Sequence, residues 1–413
     1  MQNSYDVAIV GAGPAGLCFA RTLSGLGLST LLIEKQSRTV LENPAIDGRD
    51  IALTHFSRKM LEALGMWEHL PLEAISTIRE ARVFDGTSAH YMGLSSSETD
   101  QLAFIVSNHH IRAAAYAAVK DDANITLMDN ASLERMELKD YVTEIHLSNG
   151  QMIHAKLAAA ADSRFSETRR RAGLSASMHD FGKTMIVCQM EHDKSHEGVA
   201  HECFHHGHTL AVLPLNGNRS SVIITLTPAE AERMMKISAL EMNSWVAEQF
   251  QYRLGNMRLD SERFAYPLVG VYADRFVAQR FALVGDAAVG MHPVTAHGFN
   301  FGLKSAHVLC ESIRTAMTTG ADIASSAVLA RYEREHRQAT KPLYLATSGI
   351  VSLYTNDSVP AKIARRVLLR VANHMVPIKS MMMAKLTEKD QADRGLGIPT
   401  PLSMARHLLR AAA

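Results

Sequence analysis

Three glycines near the amino terminus have the spacing of a loop that binds phosphate groups. They lie in the segment Gly11-Ala12-Gly13-Pro14-Ala15-Gly16. In such a loop the first glycine permits a tight turn, the second lets the backbone approach a pyrophosphate, and the third lets helix and strand pack closely. A helix that begins at the loop also directs free N–H groups and the positive end of its dipole at the phosphates. The spacing therefore predicts a dinucleotide site.

The segments around the loop have the patterns of the elements that must position it. Apolar runs at 7–10 and 30–33 predict two strands, and an apolar stripe that begins at Leu17 predicts a helix between them. Glu34 follows the second strand, where a carboxylate can accept hydrogen bonds from ribose hydroxyls. This order of strand, loop, helix, strand and acid favours a nucleotide site over a glycine turn without a ligand.

A second loop, far along the chain, has residues suited to the same ligand. An apolar strand at 280–284 ends in Gly285-Asp286, and a helical pattern begins near Gly298. The Asp286 carboxylate can accept hydrogen bonds from a hydroxyl-bearing chain, and the N-terminus of the new helix would stabilise an anion. A Gly-Asp pair alone is more often a surface turn. Together with the first loop, however, it indicates a second part of one nucleotide site.

One segment resembles a metal site. His201-Glu202-Cys203-Phe204-His205 matches the HExxH pattern of zinc proteases. That pattern needs a helix, because both histidines must lie on one face. Residues 210–215 have the pattern of a strand, and no third ligand stands out downstream. We therefore predict no metal site.

The composition is that of a globular chain without a strong charge bias. Its 413 residues are 47% hydrophobic, and a formal net charge of +1 gives no general attraction to nucleic acid. The length permits two or three domains. The four cysteines are scattered, which favours a reducing compartment, and neither a signal peptide nor a bilayer-spanning run is evident. We expect a cytoplasmic protein, with peripheral contact to the inner face of the membrane as a further expectation.

The motifs together resemble those of the single-component flavoprotein aromatic hydroxylases. Residues 161–169, ADSRFSETR, are similar to the family motif that starts with Asp-Gly and ends with Ser-x-x-Arg, although Ser163 stands where the family has glycine. Arg49 matches an arginine that precedes the second helix and lines the flavin site. Asn108 matches a polar residue that contacts the flavin.

Other segments are similar to the ubiquinone-biosynthesis hydroxylases within that family. They are 48–53 (GRDIAL), 106–108 (VSN), 211–215 (AVLPL) and His292-Pro293 with Gly298-Phe299-Asn300. This resemblance implies an FAD-dependent monooxygenase that hydroxylates an aromatic ring of a polyprenylated ubiquinone precursor. It also implies O2 as co-substrate and NAD(P)H as electron donor, with the redox chemistry carried by the cofactor.

The resemblance also implies which residues form the site. The implied FAD contacts are Gly11, Gly13, Pro14, Ala15, Gly16, Glu34, Lys35, Arg49, Asn108, Asp162, Gly285, Asp286, Gly298, Phe299 and Asn300. The candidate catalytic residues are His292, Pro293 and His297. A histidine there could deprotonate a phenol, and the backbone at the proline would shape the oxygen pocket. The ordinary interpretation of each histidine is a structural hydrogen bond.

The implied fold is α/β, with an FAD-binding dinucleotide fold, an inserted β-sheet substrate domain and a helical C-terminal region. Residues 151–161 have the pattern of a strand pair, and 361–385 that of a basic amphipathic helix, which could lie on an anionic membrane or pack as an ordinary helix. The predicted divisions are FAD-binding segments at 1–75, 108–177 and 269–345, substrate-domain segments at 76–107 and 178–268, and the C-terminal region at 346–413.

Two other functions stay open. The same catalyst could act on a soluble aromatic or heterocyclic acid, which would need a cationic anchor in the pocket; Arg219 and Arg263 are the candidates. A polyprenyl ring would instead need an apolar channel. Alternatively, the chain could bind flavin without turnover, as a subunit of a biosynthetic complex, which the serine at position 163 leaves open.

Overall fold

The computed structural model describes residues 3–86, 88, 91–95, 101–205, 207–292, 298–355 and 388. The helices in these residues are α1 (Pro14–Ser24), α2 (Arg38–Glu42), α3 (His55–Ala63), α4 (Asn108–Ala117), α5 (Glu167–Arg171), α6 (Pro228–Lys236), α7 (Ala239–Gln249), α8 (Gly298–Thr318) and α9 (Ser326–Thr355). The strands are β1 (Ser4–Val10), β2 (Thr30–Ile33), β3 (Asp50–Leu53), β4 (Ile75–Ile78), β5 (Glu80–Asp85), β6 (Tyr91–Ser95), β7 (Ala103–Ser107), β8 (Ile125–Met128), β9 (Leu133–Leu138), β10 (Thr143–Leu147), β11 (Met152–Ala160), β12 (Ala176–His192), β13 (Val199–Phe204), β14 (Thr209–Pro214), β15 (Arg219–Leu226), β16 (Met257–Leu259), β17 (Phe264–Ala273), β18 (Val277–Ala278), β19 (Phe281–Leu283) and β20 (Val289–Gly290).

The first sheet is eight-stranded and carries the predicted glycine loop. Its main path is β18-β19-β11-β1-β2-β8, in which β1 runs parallel to both β11 and β2. Residues 151–161, predicted as a pair of strands, form the single strand β11, so that prediction was wrong. The physical reason is that 152–160 contain no residue that favours a turn, so the segment pairs with β1 in one continuous register.

The second sheet is nine-stranded, in the order β20-β17-β12-β15-β14-β13-β5-β6, with β16 beside β12. The neighbours on this path are antiparallel except for β13 and β5, which are parallel. One face packs under α6 and α7 in an apolar core that includes Ile186, Val222 and Phe250. We call the opposite face the inner face. Because side chains alternate along each strand, it carries Val187, Gln189, Glu202, Ala211, Ile223 and Phe264.

The inner face lies against the loop that leads into β3. Gly48 in this loop has a φ of +69°, and a Cβ there would lie 2.5 Å from the Phe264 ring, so this position requires glycine. The Tyr266 hydroxyl donates a hydrogen bond to the Asp47 carbonyl at 2.7 Å. Gln189 Nε2 donates to Asp50 Oδ2 at 3.2 Å. These contacts hold the loop against the second sheet.

The remaining elements join the two sheets. Strands β3, β7 and β4 form a small antiparallel sheet, and helix α8 packs along both α1 and α9. The α/β architecture with a helical C-terminal region is thus confirmed. None of the helices in the described chain combines the length and the apolar character that a bilayer crossing needs.

Candidate functional site

The predicted glycine loop joins β1 to α1. A Cβ on Gly11, whose φ is +103°, would lie 2.6 Å from the Ala161 carbonyl oxygen, and one on Gly16 would lie 2.0 Å from the Gly11 oxygen. Both positions therefore exclude any side chain. Gly13 differs, because no heavy atom of the described residues lies within 4 Å of the place that its Cβ would take. Space beside Gly13 is thus open to a ligand.

The same loop passes a test of fit for a diphosphate. Gly13 is the N-cap of α1, and no side chain of the described residues caps this helix end. The first N–H groups of the helix are therefore available to a ligand, and the helix dipole favours an anion there. Pro14 occupies the first helical position, where its missing N–H costs nothing. Open space and an uncapped helix together fit the diphosphate of FAD.

Glu34 lies at the end of β2, directly beside the loop. Its Oε2 accepts a hydrogen bond from Ala12 N at 2.8 Å, and its Oε1 accepts one from Gln36 N at 2.9 Å. These bonds fix the carboxylate, and each oxygen keeps a further lone pair for a ribose hydroxyl. The neighbouring Lys35 is exposed.

Three distant segments meet at Ala15, in the first turn of α1. A Cβ on Gly285 would lie 3.0 Å from Ala15 Cβ, and a Cβ on Gly302 would lie 3.3 Å from it. Gly285 belongs to the second predicted loop and Gly302 to α8. Ser305 Oγ accepts a hydrogen bond from Gly285 N at 2.9 Å, which fixes this loop on the helix. The structure therefore brings the two predicted nucleotide loops side by side.

Asp286 faces the start of α8 and pairs with Arg164. Arg164 Nη2 donates to Asp286 Oδ2 at 3.0 Å, and Arg164 Nη1 donates to the Val269 carbonyl at 3.1 Å. Asp286 Oδ1 lies 4.0 Å from the place that a Cβ on Gly298 would take. Sequence reasoning did not single out Arg164, because it stands at an unspecified position of the 161–169 motif.

The carboxylate of Asp162 bonds the first turn of α5, whose N-cap is Ser166. It accepts hydrogen bonds from Thr168 N at 3.1 Å and from Thr168 Oγ1 at 2.9 Å. The backbone of Asp162 packs on the glycine loop, with its Cα 3.0 Å from the place of a Cβ on Gly11. At the end of the same motif, buried Arg169 donates to the Ala287 carbonyl at 2.9 Å. This motif therefore connects the first nucleotide loop to the second.

Arg49 and Asn108 are brought together by Asp47. The Oδ2 atom of Asp47 accepts hydrogen bonds from Arg49 Nη2 and from Asn108 Nδ2, each at 2.7 Å. Burial would raise the pKa of Asp47, but the hydrogen bonds and charge of Arg49, with the Asn108 amide, lower it, so that the carboxylate is ionised. Sequence reasoning missed Asp47; the available signal was an acid two residues before the arginine.

Asn300 fixes the start of α8 on β3. Its Nδ2 donates to the Ala52 carbonyl at 2.9 Å, and its Oδ1 accepts a hydrogen bond from Thr54 N at 3.1 Å. The side chain is fully buried. Gly298 and Phe299 precede it in the first turn of α8. The helix N-terminus predicted to face an anion is thereby held next to the strand that follows Arg49.

His292 is buried, and its ring lies 4.8 Å from that of Phe181 in an edge-to-face contact. Burial, together with the charge of Arg164, lowers the pKa of His292 to about 4. A histidine with so low a pKa is a weak base toward a phenol. The other two candidate catalytic residues, Pro293 and His297, lie outside the described residues, as does the segment 361–385.

The HExxH segment lies on strand β13 and the residue after it, not on a helix. Successive side chains of a strand point to opposite faces, so His201 and Glu202 are on different sides of the sheet. His201 packs against the rings of Phe84 and Phe250 in the core under α7. Glu202 lies on the inner face. The arrangement lacks the shared helical face that the zinc motif needs.

Comparison with known proteins shows the relationship of this chain. Residues 4–345 match the model of the FAD binding domain family. The ubiquinone hydroxylase UbiM of Neisseria meningitidis is 43% identical over 393 residues, which cover 94% of this chain and 85% of that protein. The ubiquinone hydroxylase UbiL of Rhodospirillum rubrum is 33% identical over 92% of this chain and 88% of its own length.

Solved structures show the same fold at low sequence identity. The p-nitrophenol 4-monooxygenase PnpA of Pseudomonas putida has a TM-score of 0.74 and 18% identity, over 94% of this chain and 99% of its own. PqsL of Pseudomonas aeruginosa, in complex with 2-aminobenzoylacetate, has a TM-score of 0.72 and 18% identity, over 86% of this chain and 97% of its own. At this identity the likeness supports the fold alone.

Proposed function

Because the chain belongs to the FAD binding domain family and, within it, to the FAD-dependent hydroxylases of ubiquinone biosynthesis, we propose that it hydroxylates an aromatic ring of a polyprenylated ubiquinone precursor. O2 supplies the oxygen atom, and NAD(P)H supplies the electrons. The observation that carries the proposal is the meeting of the two nucleotide loops and α8 at Ala15, beside the open space at Gly13. FAD, when bound, supplies the redox chemistry that activates O2.

The residues of this chain have the tasks of holding the cofactor and shielding the reaction. The N-terminus of α1 binds the diphosphate, Glu34 the ribose and Asp286 the hydroxyl-bearing chain. The N-terminus of α8, fixed by Asn300, stabilises negative charge on the reduced ring system. The inner face of the second sheet covers the reacting ring and excludes water.

The chemistry of the inner face favours an apolar substrate over an aromatic acid. Ala211, Ile223, Val187 and Phe264 pair in register and form an apolar row across this face. The two candidate anchors for an acid have other partners. Arg219 pairs with Asp260 at 2.8 Å and donates to Gln189 at 2.9 Å, and Arg263 donates to the carbonyl groups of Met234 and Ile237, each at 2.9 Å. A polyprenyl-substituted ring fits such a surface better.

The electron donor can be identified by anaerobic titration. Purified protein with bound FAD is mixed with NADH or NADPH, with and without 2-farnesylphenol, and the flavin absorbance is followed. We expect one nucleotide to bleach the flavin. If neither does so with substrate present, direct reduction is wrong and an external reductase must supply the electrons, as in a biosynthetic complex.

We extend the proposal to the membrane as the route by which a polyprenylated substrate arrives. The segment 361–385 contains Lys362, Arg365 and Arg366 among apolar residues, the composition of a helix that lies on an anionic surface. Sedimentation with phosphatidylglycerol vesicles tests this extension. We expect binding that weakens when the three cations are replaced by glutamine; equal binding to neutral phosphatidylcholine vesicles would contradict it.

The function itself is tested by mass spectrometry of quinone precursors in cells with and without the gene. We expect the deletion strain to accumulate a polyprenylated precursor that lacks one ring hydroxyl, and the restored gene to remove it. A deletion strain with an unchanged precursor profile would contradict the substrate assignment. NAD(P)H oxidation by the purified protein separates an enzyme from a flavin-binding subunit without turnover.

A further inference from the structure

Glu202 occupies a central position on the inner face of the second sheet. Strand β13 pairs with β14 on one side and β5 on the other, and Glu202 is opposite Ala211 and Val83. Continuing across the sheet, Ala211 pairs with Ile223, and Ile223 with Val187. The Glu202 carboxyl therefore stands in a row of otherwise apolar side chains. At its far end the row reaches Val187, which lies against Gly48 in the loop before β3.

Contacts along β13 link the face that carries Glu202 to β3 and the start of α8. Ala200 is two residues earlier on the same face, so its side chain lies roughly 7 Å from that of Glu202. Ala200 shares an apolar cluster with Ala52. The Ala52 carbonyl accepts the hydrogen bond from Asn300 at the start of α8. Glu202 therefore lies on the same strand face as a residue whose apolar cluster reaches the strand that holds the start of α8.

Two polar groups on this face have no hydrogen-bond partner among the described residues. Glu202 is half-buried, and none of its carboxyl oxygen atoms has a hydrogen bond within the described chain. Ser221, fully buried on the same face, has an Oγ atom without a partner in that part of the chain. Buried polar groups are normally paired, so the unpaired Ser221 hydroxyl points to a polar ligand at this face, and the half-buried Glu202 carboxyl is open to the same ligand.

The pKa of the Glu202 carboxyl suits a general base better than the pKa of the candidate histidine, His292. Burial raises the pKa of Glu202 to about 8, whereas the pKa of His292 is lowered to about 4. A general base is most effective with a pKa near the working pH. Among the described residues, the charged groups on this sheet face and in the loop opposite include Asp85, Arg219, Asp47, Arg49 and Asp50.

We propose that Glu202 is a catalytic residue that accepts the proton of the substrate's phenolic hydroxyl. The proposal rests on the function proposed above. In this step the phenol O–H bond breaks, a new O–H bond forms on the carboxyl, and the electron pair stays on the phenolate oxygen. The ring carbons ortho and para to that oxygen become more electron-rich and so more reactive toward the oxygen atom derived from O2. The Ser221 hydroxyl is placed to bind a second oxygen substituent of the ring.

The test compares Glu202→Gln and Glu202→Asp with the wild-type holoenzyme, using 2-farnesylphenol and a ring-fluorinated 2-farnesylphenol. For the wild type, we expect kcat/KM to rise with pH until about 8, because the base must be ionised. For Glu202→Gln, we expect kcat to fall on the order of 10²–10⁴-fold, with loss of this pH dependence. The aspartate variant should recover part of the rate.

The fluorinated phenol separates a base from a structural role. It ionises at lower pH without help, so we expect it to restore much of the Glu202→Gln rate. Glu248→Gln is the matched control, because Glu248 is exposed on α7 beyond the opposite face of the sheet, and we expect wild-type kinetics. Wild-type rate and pH profile in Glu202→Gln would overturn the proposal, as would a low rate that the acidic phenol does not restore. A wild-type enzyme without product from either phenol would instead count against the proposed function.

Discussion

Arg164 and Asp286 stand 122 residues apart in the chain, yet the Arg164 Nη2 atom lies 3.0 Å from Asp286 Oδ2. The side chains are 29% and 31% exposed. At this exposure an ion pair contributes at most about 1 kcal/mol to stability. Its consequence is therefore positional: it orients the carboxylate that faces the start of α8.

The two members of this pair should differ in their effect on cofactor binding. We expect Asp286→Ala to weaken FAD binding by about 10- to 100-fold, since the loss of a hydrogen bond to a charged group costs about 1.5–3 kcal/mol. Arg164→Gln keeps an amide donor for the carboxylate, so it should change the free energy of unfolding by less than about 1 kcal/mol and lower the FAD affinity less than Asp286→Ala does. Fluorescence titration of the apoprotein with FAD measures both. Unchanged affinity in Asp286→Ala would exclude the proposed contact.

Gly13 and Gly16 offer a matched pair of substitutions by alanine. A Cβ on Gly16 would meet the Gly11 oxygen at 2.0 Å, so we expect Gly16→Ala to lower the stability of the FAD-free protein by at least about 2 kcal/mol. A Cβ on Gly13 meets no described atom within 4 Å. Gly13→Ala should therefore keep the stability of the apoprotein and lose FAD binding. Thermal unfolding with and without FAD distinguishes the two, and normal FAD binding by Gly13→Ala would show that the diphosphate lies elsewhere.

Ser163 has a φ of +98°, a left-handed conformation that costs a non-glycine residue about 1 kcal/mol or more. Because its side chain is exposed, Ser163→Gly should remove this strain and raise the free energy of unfolding by up to about 1 kcal/mol. Ser244→Gly, at an exposed position inside α7, is the control and should have the opposite sign. Urea unfolding measures both; destabilisation by Ser163→Gly would mean that the serine has an unrecognised structural role.

Buried histidines should make the protein sensitive to acid. Burial lowers the pKa values of His201 and His292 to about 4 and that of His336 to about 3. The unfolded chain takes up these protons near pH 6.5, so stability falls as the pH drops from about 6.5 toward 4, by up to about 1.4 kcal/mol per pH unit for each histidine.

Replacement of one such histidine should reduce this slope. We expect His336→Leu to lose less stability than the wild type between pH 7 and about 5, because burial lowers the pKa of His336 in the folded protein. Glu202 changes stability with pH in the opposite direction. Because burial raises its pKa from 4.5 to about 8, its contribution to stability is complete below pH 4.5 and is lost as the pH rises toward 8. Glu202→Gln should therefore flatten the alkaline side. Urea unfolding at several pH values measures these slopes; equal slopes in all variants would contradict the assigned ionisation states.

Much of the architecture follows from local patterns in the sequence. The glycine spacing and the apolar runs beside it predict the β1–α1–β2 unit, because each signal is contained within a few residues. The meeting of Gly285 and Gly302 at Ala15 is not contained in any local pattern, since it depends on how the strands are ordered in the first sheet. For the same reason the sequence did not show which partner Asp286 would have.

Glu202 illustrates a different limit. A familiar pattern, HExxH, drew attention to the histidines and to zinc. In the structure this segment is a strand, so Glu202 and His201 lie on opposite faces of the sheet. The carboxyl is on the inner face, and the histidine packs in the core against Phe250. Asp47 was missed because an acid near an arginine is common, and its link to Asn108 crosses 61 residues.

The most direct test of the whole account is hydroxylation by the purified protein under isotopically heavy O2. Protein reconstituted with FAD is supplied with NADH or NADPH and 2-farnesylphenol, and the product is analysed by mass spectrometry. The account predicts a yellow holoprotein that forms a ring-hydroxylated product containing one heavy oxygen atom, with Gly13→Ala inactive under the same conditions. A protein that stays colourless after reconstitution, or a product whose new oxygen carries no label, would contradict it.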